Sequence, residues 1–404
     1  MGGHAWQAQG EQGWTYTDEW VCASCVADEA LANVVKEAAD PDAECEFCET
    51  KPAAELDVLL EAFFNGLRTE YAYAGDESAY FEGELVAASS WSGPELVDDY
   101  AYAFNNERLH SAVRDAANLD HTWVERDFVA VRHDEALLDG WKRFSYQVKY
   151  RTRHVFWLSP KMSDEHLLGA GEIPAAAILE ALGELIRQVG LLREIPAGQR
   201  LWRARAHEDS GLGWHACDLA TALPEQAIHP NRMSPAGIPL FYGASSPRTA
   251  LQEVARHVTV ENHLVTYAAF ETTRPCIVVD FTRLPPEPSI FDATSDTYLR
   301  RSIIFLHNFV DQLSADPNGQ EHLEYVPTQI VTEYLLRVFN PSCPVDGLIF
   351  ASSADTSPGG GICTVLDVPQ WRCLEAGQPE LDDALCLRLL ADTLHVNNRL
   401  QAPS

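Results

Sequence analysis

The sequence predicts an α+β protein in two parts, a mostly helical, metal-stapled N-terminal region and a C-terminal domain built on a mixed sheet. Apolar residues recur at helical spacing through much of the first half of the 404 residues. Two Cys-x-x-Cys pairs stand near the N-terminus, and short β-rich runs alternate with helical runs in the second half. Because a chain of this length exceeds one ordinary hydrophobic core, we expect at least two domains.

The composition is that of a globular protein, with 46% hydrophobic and 22% charged residues. No apolar run reaches the roughly 18 residues that a membrane helix needs. The segment Met1–Trp20 is polar and acidic, without the basic start and apolar stretch of a signal peptide. We therefore expect a cytoplasmic protein without membrane partners.

The charge balance disfavours nucleic acid as a partner. The sequence contains 60 acidic and 29 basic residues, which gives a formal net charge of −31. Affinity for a phosphate backbone comes mainly from basic patches, so a surface of this kind repels nucleic acid on average. A solubility bias of the source organism explains the same acidity, and a local basic groove stays compatible with it.

The two cysteine pairs have the spacing of a zinc site. Cys22-x-x-Cys25 is followed after 19 residues by Cys45-x-x-Cys48. Two such knuckles supply the four thiolates of a tetrahedral site, and four protein ligands leave no open position for catalysis. The pattern predicts a structural zinc knuckle over residues 20–50, with reduced thiols or a redox pair as the alternatives.

Helical periodicity dominates the following region, which we assign to a helical domain over residues 53–195. One apolar face is marked by Leu56, Leu59, Leu60, Phe63, Phe64 and Leu67. A second helix is expected over Glu95–Ala117, and Tyr146–Trp157 suits either a strand or a helix end. Another helix begins at Pro174 and ends near Pro196.

The pattern then changes to that of a mixed-sheet domain over residues 198–380. The expected strands are Arg200–Ala206, Leu240–Ala244, His263–Glu271, Cys276–Phe281, Gly347–Phe350 and Ile362–Val368. The expected helices between them are Ser246–His257, Ser302–Asp311 and Thr328–Phe339. No Gly-x-Gly-x-x-Gly follows a strand and no P-loop motif occurs, which argues against a Rossmann or P-loop nucleotide site.

Four segments of this half occur in a recognisable order. They are Leu201–Arg205, Asn231–Ala244, Ser245–Val254 and Asp346–Ser353, the last leading to three consecutive glycines at 359–361. Together they resemble the RES domain, named for its Arg, Glu and Ser, over about residues 198–375. The resemblance implies a fold similar to ADP-ribosyltransferases and an enzyme that degrades NAD, in some members by phosphorolysis. Many members are toxins of toxin–antitoxin pairs.

The resemblance implies Arg203, Glu253 and Ser352 as the catalytic residues. Arginine suits the NAD phosphates because its planar fork binds phosphate oxygens in bidentate fashion. A carboxylate suits an oxocarbenium-like ribose, because it opposes the developing positive charge. Ser352 ends a buried strand, where its hydroxyl can bond the ribose or the amide, or place an attacking phosphate.

Further NAD contacts are expected from residues near these three. They are Arg205, Arg232, Ser234, Tyr242 and Ser353. The alternatives for such residues are ordinary structural roles: a surface glutamate for Glu253, a core tyrosine for Tyr242, and strand-end capping by Ser352 or Ser353.

The N-terminal half resembles the helical region that precedes many RES domains and is grouped with HEPN domains. Many HEPN nucleases use an Arg-x4–6-His motif, and Arg114 and His121 fit that spacing. The chance occurrence of such a pair and the acidic charge argue against a nuclease site.

Together these features predict an NAD-cleaving toxin or defence effector with NAD, and possible phosphate, as ligands, a structural zinc ion, an antitoxin or regulatory partner, and a homo-oligomeric state. The alternatives are an ADP-ribosyltransferase that modifies a protein or nucleic acid, and a non-catalytic module that binds RNA or a partner.

Overall fold

The structure is a computed structural model, which describes residues 12–76, 80–81, 84–85, 89–126, 131–158, 172–208, 214–257, 264–314, 319–355, 360–380 and 382–399. The chain forms two compact units. The first contains the described residues of 12–133 and the segment Pro286–Arg301, and the second contains those of 134–285 and 302–399. In the described part of the chain, no helix is both long and apolar enough to cross a membrane.

The first unit contains four helices and three small sheets among its described residues. The helices are α1 (Glu29–Ala38), α2 (Leu56–Glu70), α3 (Gly93–Asp99) and α4 (Glu107–Ala116). The strands are β1 (Trp20–Val21), β2 (Ala54–Glu55), β3 (Tyr71–Tyr73), β4 (Tyr80–Phe81), β5 (Glu84–Leu85), β6 (Trp91–Ser92) and β7 (Thr122–Glu125). They pair as β1–β2, β3–β7–β6 and β4–β5.

The single helix predicted over Glu95–Ala117 is two helices. Ser92 and Glu95 form a capping box at the start of α3, which ends at Asp99. The Asn106 side chain then accepts hydrogen bonds from the main-chain N–H groups of Arg108 and Leu109 and begins α4. The prediction was wrong here because the chain leaves the first helix at Asp99, passes through a 3-10 turn over Ala101–Ala103, and starts a new helix where Asn106 caps it.

The apolar face predicted for α2 is confirmed. Leu56, Leu59, Leu60, Phe63, Phe64 and Leu67 are all fully buried. The ring of Phe63 stacks on Phe291 of the Pro286–Arg301 segment, with 4.9 Å between ring centroids. This segment therefore belongs to the core of the first unit, although it lies far along the sequence.

A buried ion cluster fixes the same segment. The carboxylate of Glu70, at the end of α2, pairs with Arg300 and, at 2.6 Å, with Arg301. Glu70 and Arg300 are both buried, and desolvation together with Arg301 lowers the pKa of Arg300 to about 10. Glu70 is the anion that neutralises a buried arginine, Arg300, and a partly buried one, Arg301, so the cluster is stable only with this carboxylate in place.

The second unit carries a large mixed sheet. Its strands are β8 (Leu192–Ile195), β9 (Arg200–His207), β10 (Phe241–Ala244), β11 (Leu264–Thr272), β12 (Cys276–Asp280), β13 (Gly347–Ala351), β14 (Ile362–Leu366), β15 (Cys373–Leu374), β16 (Leu387–Leu389) and β17 (His395–Arg399). The order is β15-β16-β11-β9-β10-β14-β13-β12-β8, with β17 beside β11. The β12–β13 and β15–β16 pairs are parallel and the other pairs antiparallel, so the predicted α+β class is confirmed.

The helices around this sheet are α5 (His133–Tyr150), α6 (Ile178–Gln188), α7 (Ala216–Leu219), α8 (Pro247–His257), α9 (Thr297–Ser314), α10 (Glu321–Glu324) and α11 (Val326–Arg337). The first residue of α5 and the first five of α9 belong to the first unit. The ambiguous segment after Tyr146 is a helix end, because α5 continues to Tyr150. The helix predicted to end near Pro196 instead ends at Gln188, where Gly190 takes a positive φ of 71°, and β8 follows.

Strands β9 and β10 share one register pair, and this determines where the sheet opens. β9 pairs with β11 over eight residues, from Leu264↔His207 to Glu271↔Arg200, but meets β10 only at Ala244↔Trp202. On its other side β10 stays paired with β14 over four residues. The two central strands therefore diverge beyond Trp202, and a gap opens between them.

Replacing Glu70 tests the buried ion cluster. Glu70→Ala leaves the buried Arg300 and the partly buried Arg301 without their anion, so we expect the full chain to lose about 3–5 kcal/mol of stability. Asp98→Ala is the control in the same unit, because it removes an exposed pair with Arg114 and should cost far less. Chemical denaturation of the full chain measures both, and equal losses would contradict the account.

Candidate active site and metal cluster

A cavity of about 880 Å³ lies in the second unit. Its walls come from β9, β10, α8, α10 and the loop at residues 226–232. The volume is in the upper part of the range of small-molecule and cofactor sites, roughly 300–1,000 Å³. Six of the eight residues predicted for the active site line the cavity. The other two, Ser352 and Ser234, contact lining residues, Glu253 and Tyr242 respectively.

Arg203 spans the gap between β9 and β10. Its Nη1 donates to the main-chain oxygen of Tyr242 at 2.7 Å, and its Nη2 donates to that of Ala220 at 3.3 Å. The guanidinium also lies over the Phe241 ring, 4.9 Å from the centroid. Desolvation lowers the pKa of Arg203 to about 10, so holding this charge costs free energy.

Arg205 follows two residues later on the same face of β9 and also lines the cavity. Its Nη1 donates to the main-chain oxygen of Asp218 at 2.5 Å. Within the described residues, neither Arg203 nor Arg205 pairs with a carboxylate. In a chain with twice as many acidic as basic residues, two neighbouring arginines without an acid indicate a place for an anionic ligand.

The predicted turn around Arg232 is tied to Tyr242. The Tyr242 hydroxyl accepts a hydrogen bond from the main-chain N–H of Met233 and lies 3.1 Å from the Oγ of Ser234. Burial raises the pKa of Tyr242 to about 12. Ser234 is almost fully buried, so its hydroxyl braces the tyrosine, while Arg232 lines the cavity and lies over the Tyr325 ring.

Glu253 and Ser352 meet directly. The Ser352 Oγ donates to Oε1 of Glu253 at 2.5 Å, and it accepts from the main-chain N–H groups of Ala354 and Asp355 at 3.2 Å each. Cys363 on β14 also donates to Oε1, at 3.3 Å. The carboxylate of Glu253, which lines the cavity, thus accepts hydrogen bonds from the end of one strand and from its neighbouring strand.

A second contact between the same two segments lies beside the first. Arg256, three residues after Glu253 on α8, donates to the Oγ of Ser353 at 2.6 Å. Both residues line the cavity and both are exposed. Ser353 therefore binds a cation, whereas Ser352 binds an anion, which gives the two neighbouring serines different roles.

The start of α8 is held by Asp355, which the sequence analysis did not single out. Its carboxylate accepts a hydrogen bond from Thr249 Oγ1 at 2.8 Å, and the Gln252 amide lies 3.1 Å away in the orientation that donates. Gly361 allows this approach, because a Cβ there would stand 2.4 Å from a Thr249 methyl group. Of the predicted glycine turn, Gly359 lies outside the described residues.

The structure also brings in Cys363 and Arg256, which sequence reasoning missed. Position 363 lies within an alternating apolar strand, where a cysteine reads as an ordinary core residue. Helical spacing was the available signal for Arg256, since positions i and i+3 share one face of a helix.

The four N-terminal cysteines form a cluster that can hold a metal ion such as zinc. All four sulfur atoms lie within 4.8 Å of one another, and the Cys22–Cys25 and Cys25–Cys45 separations are 3.8 Å. A tetrahedral zinc ion with bonds of about 2.3 Å places its sulfur ligands about 3.8 Å apart. Thr50 donates to Cys22 and Asn106 to Cys25, as suits thiolate ligands.

Arg114 and His121 lie in different surroundings. Arg114 is exposed and its Nε donates to both carboxylate oxygens of Asp98, at 3.0 and 3.1 Å. His121 is buried between the rings of Tyr73 and Trp123, with centroids 4.4 and 4.7 Å away. Arg114 and His121 thus have different partners, a surface carboxylate for Arg114 and two aromatic rings for His121.

Comparison with known families agrees with this arrangement. Residues 38–162 match the HEPN/RES N-terminal domain 1, and residues 200–382 match the RES domain. No curated protein and no solved structure gives a significant match. The second match contains Arg203 and Glu253, which line the cavity, and Ser352, which is bonded to Glu253. The chain therefore carries a RES domain preceded by an HEPN/RES N-terminal domain 1.

Proposed function

We propose that this protein degrades NAD by cleaving the bond between nicotinamide and ribose. The observation that carries the proposal is the carboxylate of Glu253, held by Ser352 on the wall of a cavity that also contains Arg203 and Arg205. The RES family is associated with enzymes that act on NAD. The cavity combines what that substrate needs: cations for its phosphates and an anion for its ribose.

The diphosphate is proposed to lie near Arg203 and Arg205. Arg203 uses Nη1 and Nη2 on main-chain carbonyls, so its main effect is a fixed positive charge in a desolvated place. Such a charge attracts phosphate more strongly than one in water. Arg205 is more exposed and can turn its free nitrogens toward an oxygen of the ligand, and Arg232 also lines the cavity.

Glu253 is proposed to act on the ribose. As the bond to nicotinamide breaks, its electron pair leaves with the nicotinamide and positive charge develops on the sugar. A carboxylate that binds a ribose hydroxyl opposes this charge more in the transition state than in the bound substrate, which lowers the barrier. With phosphate as acceptor, a phosphate oxygen forms the new bond to the anomeric carbon and gives a phosphorylated ADP-ribose.

We further propose a cellular role for this activity and a role for each part of the chain. A RES domain that drains NAD acts as a toxin or defence effector, and its fold is proposed to be related to ADP-ribosyltransferases. We assign residues 198–380 to the catalytic domain, 53–195 to a helical regulatory domain and 20–50 to the zinc knuckle. The helical part is a suitable place for an antitoxin, a regulatory partner or self-association, in the cytoplasm.

NAD consumption by the purified full chain tests the proposed activity. We expect wild type to release nicotinamide, and Glu253→Gln to lower the rate at least about a hundredfold, because it removes the charge and keeps the shape. Glu333→Gln, an exposed glutamate on α11, is the matched control and should leave the rate unchanged. Equal rates for wild type and Glu253→Gln would refute the assignment.

NAD labelled in adenine identifies the acceptor in the same assay. Label in a small product that appears only with phosphate supports phosphorolysis, and label in ADP-ribose without phosphate indicates hydrolysis. Label on protein or nucleic acid would favour the alternative, an ADP-ribosyltransferase that modifies a macromolecule.

The cysteine cluster is proposed to hold one structural zinc ion. Cys45→Ser should abolish stoichiometric zinc in the purified chain and lower its thermal stability, because a structural site contributes its binding free energy to folding. Cys343→Ser, at an exposed cysteine far along the sequence, is the control and should keep one zinc per chain. Elemental analysis measures the zinc, and full zinc retention in Cys45→Ser would contradict the site.

A further inference from the structure

Cys363 is the one cysteine that contacts the Glu253 carboxylate within the described residues. Its Sγ lies 3.3 Å from Oε1, the same oxygen that accepts the Ser352 hydroxyl. No described residue donates a hydrogen bond to Oε2. Two donors on one oxygen leave the other oxygen available to whatever occupies the cavity.

The pairing of β13 and β14 places both donors on one side of the sheet. Cys363 lies directly across from Phe350, and the main-chain N–H of Ser352 donates to Gly361 at 2.7 Å. Residues that face each other across two strands share a face, and so do residues two apart on one strand. Cys363 and Ser352 therefore stand side by side beneath Glu253, which comes from α8.

The surroundings of Cys363 suit a donor and not a nucleophile. The side chain is 7% exposed and packs in the apolar cluster with Val365 and Phe350. Desolvation, followed by the charge of Glu253, raises the pKa of its thiol. The sulfur therefore keeps its proton and can donate it to the carboxylate without becoming reactive.

We propose that Cys363 is a positioning residue for Glu253: with Ser352, its thiol fixes the Oε1 atom so that Oε2 points into the cavity and accepts the ribose hydroxyl. The inference rests on the proposed function for its substrate, but the thiol–carboxylate contact exists without it. A residue of this kind changes the rate of the chemical step more than the binding of NAD, because it sets the angle of the carboxylate.

Steady-state kinetics of the full chain give the first test. Cys363→Ser keeps a donor and should retain the rate within about threefold, whereas Cys363→Ala should lower kcat about tenfold with little change in KM. Cys276→Ala removes another buried thiol of the same sheet and should leave both kcat and KM unchanged.

The S–H stretching vibration gives a test that needs no activity. The difference spectrum between wild type and Cys363→Ser isolates the Cys363 band, and the same subtraction in a Glu253→Ala background isolates it without the carboxylate. We expect the band to move to higher wavenumber when Glu253 is removed. A band that does not move overturns the proposal, even if wild type consumes NAD. A band that moves supports the contact, even if no NAD is consumed.

Discussion

The divergence of β9 from β10 is the constraint on which the rest of the site depends. Two central strands that separate after one register pair leave main-chain carbonyls without their usual partners, and buried carbonyls must be satisfied. Arg203 supplies the donors, because its guanidinium reaches across the gap to Tyr242. The Arg203 side chain thus bonds the strand across the gap and also brings positive charge to the cavity. An arginine at this position fulfils both roles.

Helix α8 delivers a negative charge to the same cavity. The helix is fastened at its start by Asp355, through Thr249 and Gln252, and one turn later by Ser352 through Glu253. Because Asp355 and Ser352 belong to one short loop after β13, the position of the Glu253 carboxylate follows from the strand end. The cavity is therefore lined by arginines and by one carboxylate, which are the charges that a substrate with phosphates at its centre and a cationic glycosidic bond requires.

Much of this arrangement could be predicted from sequence, for particular reasons. Periodicity marked the buried face of α2, and the four ordered segments pointed to Glu253 and Ser352 before their 2.5 Å contact was visible. The α3–α4 break and the early end of α6 could not be read from apolar spacing, because single capping residues decide them. The contact of Cys363 could not be predicted, because its partner Glu253 lies 110 residues earlier on another element. The divergence of β9 from β10 has no signal in the local sequence of either strand.

The position of NAD in the cavity is the most direct test of the account. A crystal structure of the full-length Glu253→Gln variant with NAD preserves the shape of the site while preventing turnover. We expect the diphosphate beside Arg203 and Arg205 and the nicotinamide ribose at position 253, within hydrogen-bonding distance of its side chain. NAD bound elsewhere, or bound with its ribose away from position 253 and its phosphates away from both arginines, would contradict the proposed site.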